Sequence, residues 1–520
     1  MKSKLIILAV LTGLLLGACE SDFVYIDNPS ETNYDAAVNN PDNINLIVNE
    51  VYDSYTNVQF IYTRWANYLM VQEARSDNAY ILPSGNNFKD MGTISRFLNT
   101  STHFLTDQHW RLIYEVVRTA NQALEKLVEL KAIESNPEYD RMMGEVYYLR
   151  GLIYLTAIRD FGEAIPIKTE NGTSIEEFNV PPAGPGEAWA QVIADLKEAQ
   201  KLLPKKEEYS SKEAGRATQG AATGMLGKAY LYMLDYANAV TEFEKIINGQ
   251  VGNYSLIQNF RDNFTEDAEN NSESLYEIQN ANSINVATSV LWNGLSRSGG
   301  VGVWRNIAPT ESLLNTFKED PADPRWHMTF YAPDGAYHLV NGKKRSYKTQ
   351  GTVTFRKYML DKRVAPGWKE GTNVRLLRFA DILLMAAEAH IEIGNEAKAK
   401  EYISLVRQRA NNIVNDQEQL FFSANYTGEM PEGFPIETDV DAYMATHGLS
   451  LKEMLMRERR VELAYEQLRY YDLIRWQKAG WINISDYITE PAFVFGKNEI
   501  FPIPQVELAA NTAMVPNSAN

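Results

Sequence analysis

Between residues 107 and 131 apolar side chains recur every three or four positions, with Trp110, Ile113, Val117 and Leu124 on one side, which predicts an amphipathic helix over Asp107 to Lys131. From Gly220 to Ile247 the chain reads GAATGMLGKAYLYMLDYANAVTEFEKII, a pattern for two antiparallel helices. Small residues at Gly227 and Ala239 let those helices approach, and Leu226, Tyr230, Tyr236 and Phe243 fill the layer between them. The same arrangement returns from Arg378 to Asn411, with Ala387, Ala399 and Ile403 in register and Gly394 at the turn, where a left-handed helix end costs Gly least. A third helix, Glu145 to Ile158, carries Gly151 and Tyr154 in the same relation. Its partner is postponed past a loop, Asp160 to Glu187, to Trp189–Leu203, which supplies Leu196, Ala199 and Pro204.

This spacing is similar to that of tetratricopeptide repeats, but the copies are not contiguous. Gly227 and Ala387 stand 160 residues apart, where a tandem array would space them by about 34. Residues 250 to 375 are rich in Gly, Asn, Pro and aromatics, with short alternating segments such as Thr352 to Tyr358. The expected fold is therefore mainly α: a tetratricopeptide-like superstructure of about four helix pairs, an inserted loop-rich region and a few short strands. Loops hung on a rigid scaffold are where binding resides.

The N-terminus has a separate role. Lys2 and Lys4 precede an apolar run from Leu5 to Leu16, too short to cross a bilayer and of the length of a signal-peptide core. It ends in Leu16-Gly17-Ala18-Cys19, which resembles the bacterial lipobox, and Cys19 is the only Cys in the chain. The expectation is a signal peptide over residues 1–18, lipid attachment at Cys19 and a polar tether over 19–49. One Cys excludes a disulfide framework and any Cys-cluster metal site. The full chain carries 50 Lys plus Arg against 67 Asp plus Glu, net −17, and loss of Lys2 and Lys4 would leave −19. Scattered cations on an acidic chain offer no field for nucleic acid.

Several motifs resemble the SusD/RagB family of outer-membrane nutrient-binding lipoproteins of Bacteroidetes. The most specific is Leu455 to Trp476, LMRERRVELAYEQLRYYDLIRW. With it stand the Arg159-Asp160-Phe161-Gly162 turn, Asn271 to Ile278, Asp323-Pro324-Arg325, and Phe501-Pro502-Ile503-Pro504 with Glu507 and Asn511. The resemblance divides the mature chain into an N-terminal part, 50–249, carrying the first helical repeats, and a C-terminal part, 250–520, carrying ligand loops and the last helix pairs. It implies a lipid-anchored protein of the cell surface that binds an oligosaccharide and delivers it to a TonB-dependent, SusC-like transporter. The alternative within transport is a RagB-like peptide receptor. The chain departs from the family pattern over residues 428–446, an acidic, Pro-containing insertion with no assigned role.

The residues of the signature need their own account. Glu458, Glu462 and Glu466 stand at i, i+4 and i+8, one stripe of carboxylates, with Arg459, Arg460, Arg469 and Arg475 as the nearby cations. A glycosidase needs two carboxyls whose pKa values are driven apart. Carboxylates crowded by arginines are depressed together, so the stripe is read as a structural ion network. No catalytic residue is expected, and an extracellular hydrolase is the disfavoured alternative: the chain has no HExxH, GxSxG or Walker A sequence. His103 and His109 read as core or surface residues, and Gly299 to Gly302 as a lone glycine cluster. The acidic loop Asp262 to Glu273 offers oxygen ligands for Ca²⁺ without the EF-hand spacing, so a solvated loop is the simpler reading. No cofactor is expected.

A sugar site needs exposed aromatic planes with amides and charged groups between them. Two segments have that composition: Asp77 to Phe88, with Tyr80, Asn86, Asn87 and Phe88, and Trp292 to Arg305, with Trp292, Trp304 and Arg305. The resemblance places ligand loops in about these two regions, though each aromatic taken singly also suits loop or core packing. Two or three ring faces, each removing about 50 Å² of apolar surface at about 25 cal/mol/Å², supply roughly 3 to 4 kcal/mol, an affinity near millimolar. Weak, reversible capture suits a protein that hands its ligand on.

Overall fold

The computed structural model describes residues 43–59, 68–82, 89–280 apart from 173, 175, 176 and 178, 307–331, 337–340, 343–346, 353–358, 372–412 and 434–520. The chain divides after Asn49 into two units, the second running over residues 50–520. The second is built on helices α1 (Tyr68–Ala74), α2 (Phe104–Ile133), α3 (Pro137–Phe161), α4 (Glu187–Leu202), α5 (Gln219–Tyr232), α6 (Tyr236–Ile247), α7 (Glu311–Lys318), α8 (Phe379–Glu392), α9 (Glu396–Asn411), α10 (Leu451–Glu462) and α11 (Arg469–Lys478). Eight of them stack successively in chain order: α2 on α3, α3 on α4, then α5, α6, α8, α9 and α10. The postponed partner of α3 is indeed α4, and the repeat broken after α6 resumes at α8.

Small residues set these contacts. A Cβ built on Gly227 would lie 2.6 Å from the Phe243 ring, and one on Gly151 would lie 3.0 Å from Leu196. Ala239, Ala387 and Ala399 are buried. Gly394, with φ +81°, makes the turn after α8, and Asn395 then caps α9 by accepting from the Lys398 amide. The face of α2 formed by Trp110, Ile113, Val117 and Leu124 is buried, as its period predicts.

Short antiparallel pairs are inserted between the repeats. They are β1 (Ala79–Ile81) with β3 (Ile307–Pro309), β2 (Ser274–Ile278) with β8 (Val374–Arg378), β4 (Phe330–Tyr331) with β7 (Thr354–Phe355), and β5 (Tyr337–Val340) with β6 (Lys343–Ser346). The alternation over 352–358 thus yields only a two-residue strand, because Arg356 and Lys357 turn inward to ionic and carbonyl partners. The described part of the 428–446 insertion packs rather than dangles: Ile436 is buried with Ala322 and Ala410, and its amide donates to Asn411 at 2.9 Å.

The signature segment corrects the expectation of a single helical stripe. Helix α10 ends at Glu462, and residues 463–468 form a break in which Tyr465 (φ +66°) and Gln467 (φ +63°) are left-handed. Glu466 therefore lies beyond the helix. The cations expected beside the stripe serve other acids: Arg459 pairs with Asp381 and Asp472, Arg475 with Glu388 and Asp472, Arg460 and Arg469 with Asp77. The three glutamates are met instead by cations from distant chain. Arg325 Nη1 donates to Glu458 at 2.5 Å and Glu462 at 3.0 Å, and Arg378 reaches Glu462 at 2.6 Å and Glu466 at 2.7 Å. Arg409 also bonds Glu462, Arg407 bonds Glu458 at 3.0 Å, and Lys357 bonds Glu466 at 2.6 Å. The side chains of Glu458 and Glu462 are 0% exposed.

Burial alone would raise the Glu462 carboxyl, but Arg409, Arg378 and Arg325 hold it well below the usual carboxylate range. It is ionised, walled in and unreachable by substrate, so the network is structural. Glu273 belongs to the same cluster, bonding Arg378 at 2.7 Å and Arg409 at 2.8 Å. The acidic loop is thus not simply solvated: its last carboxylate is core. Within the same loop Glu269, pushed up to about 7 by burial, accepts the Asn373 amide at 2.7 Å.

Two measurements check this scaffold. Gly227→Leu must displace Phe243, at a cost of roughly 1 to 3 kcal/mol or more, so its melting temperature should fall, whereas Lys398→Ala on an exposed side chain should melt like the parent. Equal melting of both would remove Gly227 from the helix contact. Glu462→Gln leaves three guanidiniums short of their acid and is expected to cost about 3 to 5 kcal/mol. Because the folded carboxyl sits below its ordinary value of 4.5, its contribution is complete above that pH and is lost as pH falls toward the folded value. Urea titrations from pH 7 down to pH 3 should show a shallower acid loss in the variant; the same slope in both proteins would contradict this origin.

Candidate ligand-binding end

The first aromatic, amide-rich segment holds a strand that pairs with residues 307–309, just after the second segment ends. In β1 and β3 Ala79 faces Pro309, Tyr80 faces Ala308 and Ile81 faces Ile307. The pairing is antiparallel, so Ile81, the last residue of β1, and Ile307, the first of β3, lie at the same end. Tyr80 is 43% exposed, while its neighbour Ala79 and all of β3 are buried. A strand three residues long cannot hold such a position by itself.

What holds it is a clamp of charge below. The Asp77 carboxylate receives a two-pronged contact from Arg469, Nε at 2.8 Å and Nη2 at 3.0 Å, and Arg460 approaches at 2.9 Å. Burial works against the ionised form of Asp77, but Arg469 and Arg460 hold its pKa below the ordinary value. Thr310, directly after β3, donates its hydroxyl to Asp77 O at 2.5 Å and its amide to Asn78 O at 2.9 Å, and its Oγ1 caps α7 by accepting from Leu313 N at 3.1 Å. Behind the strand, Glu73 of α1 accepts from Asn78 Nδ2 at 2.8 Å and from the amides of Tyr465 at 3.0 Å and Gln467 at 2.9 Å. The two left-handed residues of the signature break thus aim their N–H groups at one carboxylate, a concave arrangement of amides suited to an anion. Burial is the largest influence on Glu73 and raises it in spite of those donors.

Of the expected site residues, Tyr80 is where a ring face is available. Asn86, Asn87, Phe88, Trp292, Trp304 and Arg305, like Cys19 and Gly299 to Gly302, lie outside the described residues. The clamp itself, Asp77 with Arg460 and Arg469, and Glu73, was not foreseen. The only signal for it in the sequence is that the signature carries more arginines than its own carboxylates need. His109 is a core residue, its Nε2 2.8 Å from Asp160, which also accepts from Tyr471 at 2.6 Å. A cleft of about 370 Å³ elsewhere is lined by Trp189, Tyr232, Ile474 and Ile500 with Arg159 and Lys478. Trp189 is only 7% exposed and is tied to Glu163 at 2.9 Å, so it presents no open ring face. No helix among the described residues is long and apolar enough to cross a membrane.

Comparison with known proteins bears on the whole chain. A SusD family model matches residues 260–519, and a second model, described as starch-binding associating with outer membrane, matches residues 23–231. A SusD-like protein of Bacteroides ovatus is 25% identical over 511 residues, covering 92% of this chain and 83% of its own length. A solved SusD superfamily protein from Bacteroides vulgatus superposes with a TM-score of 0.71 at 24% identity, covering 92% of this chain and 99% of the other. A structure described as a laminarin binding SusD-like protein gives 0.69 at 24% identity, covering 91% and 99%. With half of its residues matched by the family model and the remainder of the fold superposing on family structures, the chain belongs to the SusD family.

Proposed function

We propose that this protein binds an oligosaccharide on aromatic faces at the Ile81–Ile307 end of the β1–β3 ladder, and passes it to a TonB-dependent, SusC-like transporter of the outer membrane. The observation that carries the reading is the pairing of Ile81 with Ile307 beside an exposed Tyr80. It brings together the flanks of both segments whose composition suits sugar. The chain also bounds the reach: Trp304 is three residues before Ile307, at most about 11 Å of extended chain. Trp304, Arg305, Asn86, Asn87 and Phe88 are assigned to this surface on that ground, and Trp292 on the composition of the segment it shares with Trp304. Family membership supports the class of ligand, since one matching model is described as starch-binding and one structural neighbour as laminarin-binding. The paired acids of the signature do not favour a hydrolase, since they are buried among arginines.

The N-terminal assignments complete the proposal. Cys19 carries the lipid, residues 1–18 are removed as signal peptide, and the tether over 19–49 leaves the body on the cell surface. Several acyl chains on one Cys anchor stably, at about 0.8 kcal/mol per buried methylene.

Tyr80→Ala, Trp292→Ala and Trp304→Ala are each expected to weaken glycan binding by roughly 1 to 3 kcal/mol with nearly unchanged melting temperature. Calorimetry against laminarin, starch and a peptide panel, paired with a melting curve for each variant, reads this out. Undiminished affinity in all three would reject the surface, and capture of peptides but no glycan would move the protein to the RagB-like alternative. For the anchor, Cys19→Ala should transfer the protein from the membrane fraction to the soluble one and abolish fatty-acid labelling. Labelling that persists in the variant would overturn the assignment.

A further inference from the structure

Arg460 leaves the buried side of α10 and reaches both flanks of the ladder. On the β1 side its Nε donates to Asn78 Oδ1 at 2.9 Å and its Nη2 to Asp77 O at 2.9 Å, beside the Asp77 carboxylate. On the β3 side its Nη1 donates to Thr316 Oγ1 at 2.9 Å and its Nη2 to Ser312 Oγ at 3.0 Å, both on α7, which follows β3 after Thr310 alone. One planar guanidinium therefore spans two stretches of chain more than 230 residues apart, as the Thr310 to Asp77 contact measures. We propose that Arg460 is a positioning residue for ligand capture, fixing the register of the two stretches, 77–82 and 307–316, that flank the proposed binding surface. The proposal rests on reading that end of the ladder as the ligand site.

The chemistry needs Arg and not merely a cation. A guanidinium offers five N–H groups in a fixed fork, so it can serve acceptors on opposite sides at once, whereas an ammonium radiates three from one point. The charge of Asp77 is also met by Arg469, so removing the fork of Arg460 does not strand a buried anion. Its substitution by Lys should then loosen the joint while leaving the fold in place. The same logic separates Arg460 from cations of the Glu462 cluster, which bond Glu462 and Glu273.

Hydrogen–deuterium exchange of the full chain tests this without any ligand. Arg460→Lys should speed exchange about tenfold in peptides covering 76–82 and 307–313 together, the scale of one lost charge-assisted contact. Thr316→Val, which removes one acceptor, should act in the same direction and less. Arg150→Lys is the control: Arg150 forks onto Asp195 at 2.9 and 2.7 Å between α3 and α4, and its loss should lower the melting temperature while leaving both peptides at the parent rate. Unchanged exchange in Arg460→Lys, a change confined to one peptide, or an equal change in the control would each overturn the proposal. In calorimetry with laminarin, Arg460→Lys should bind about tenfold more weakly and Arg150→Lys like the parent. Failure of the unaltered protein to bind any glycan would overturn the proposed function, while the exchange result would still decide whether Arg460 couples the two segments.

Discussion

The structure depends on carboxylates that have been taken out of water and given back guanidinium partners from far along the chain. Glu462 alone gathers Arg325, Arg378 and Arg409, which come from the Asp323-Pro324-Arg325 turn, strand β8 and helix α9. Desolvating such groups offsets most of their attraction, so the cluster adds little net stability over well-packed apolar side chains, but losing one partner is costly. That asymmetry lets few arrangements of the surrounding chain satisfy every charge. The inserted loops are held to the helical repeats by this requirement more than by secondary structure of their own, since their strands are two to five residues long.

A second, smaller cluster extends the constraint to the surface. Asp77 draws Arg460 and Arg469 from the signature, and Glu73 draws the two left-handed amides of the signature break. Such backbone is disfavoured for residues with a side chain, and here the carboxylate rewards it. The result is a rigid base under a short exposed strand. Such rigidity suits the weak binder proposed above: ordering costs are met in folding, and little is left to be lost when ligand arrives.

How far the sequence revealed this follows from the range of each interaction. Contacts within a repeat are local and periodic, so Gly227 against Phe243 and Gly151 against Leu196 were readable from spacing. The signature break was not, because it arises from Glu73, almost four hundred residues away at Tyr465, overriding the helical run of ERRVELAYEQ. For the same reason the three glutamates were recognised as structural while their partners were misassigned to neighbouring arginines. Aromatic and amide composition singled out two candidate ligand segments. That the first pairs with the chain just after the second could not be seen in composition, because antiparallel pairing between Tyr80 and Ala308 leaves no trace in either stretch alone.

The most direct test of the account is a crystal structure of the protein with a bound laminarin or starch oligosaccharide. A sugar ring should be stacked at about 4 Å on Tyr80, at the end of the ladder where Ile81 pairs with Ile307, with the Glu462 and Asp77 clusters unmoved. Sugar seated instead in the cleft between Trp189 and Ile474, or a glycosidic oxygen in contact with Glu458 or Glu462, would contradict it.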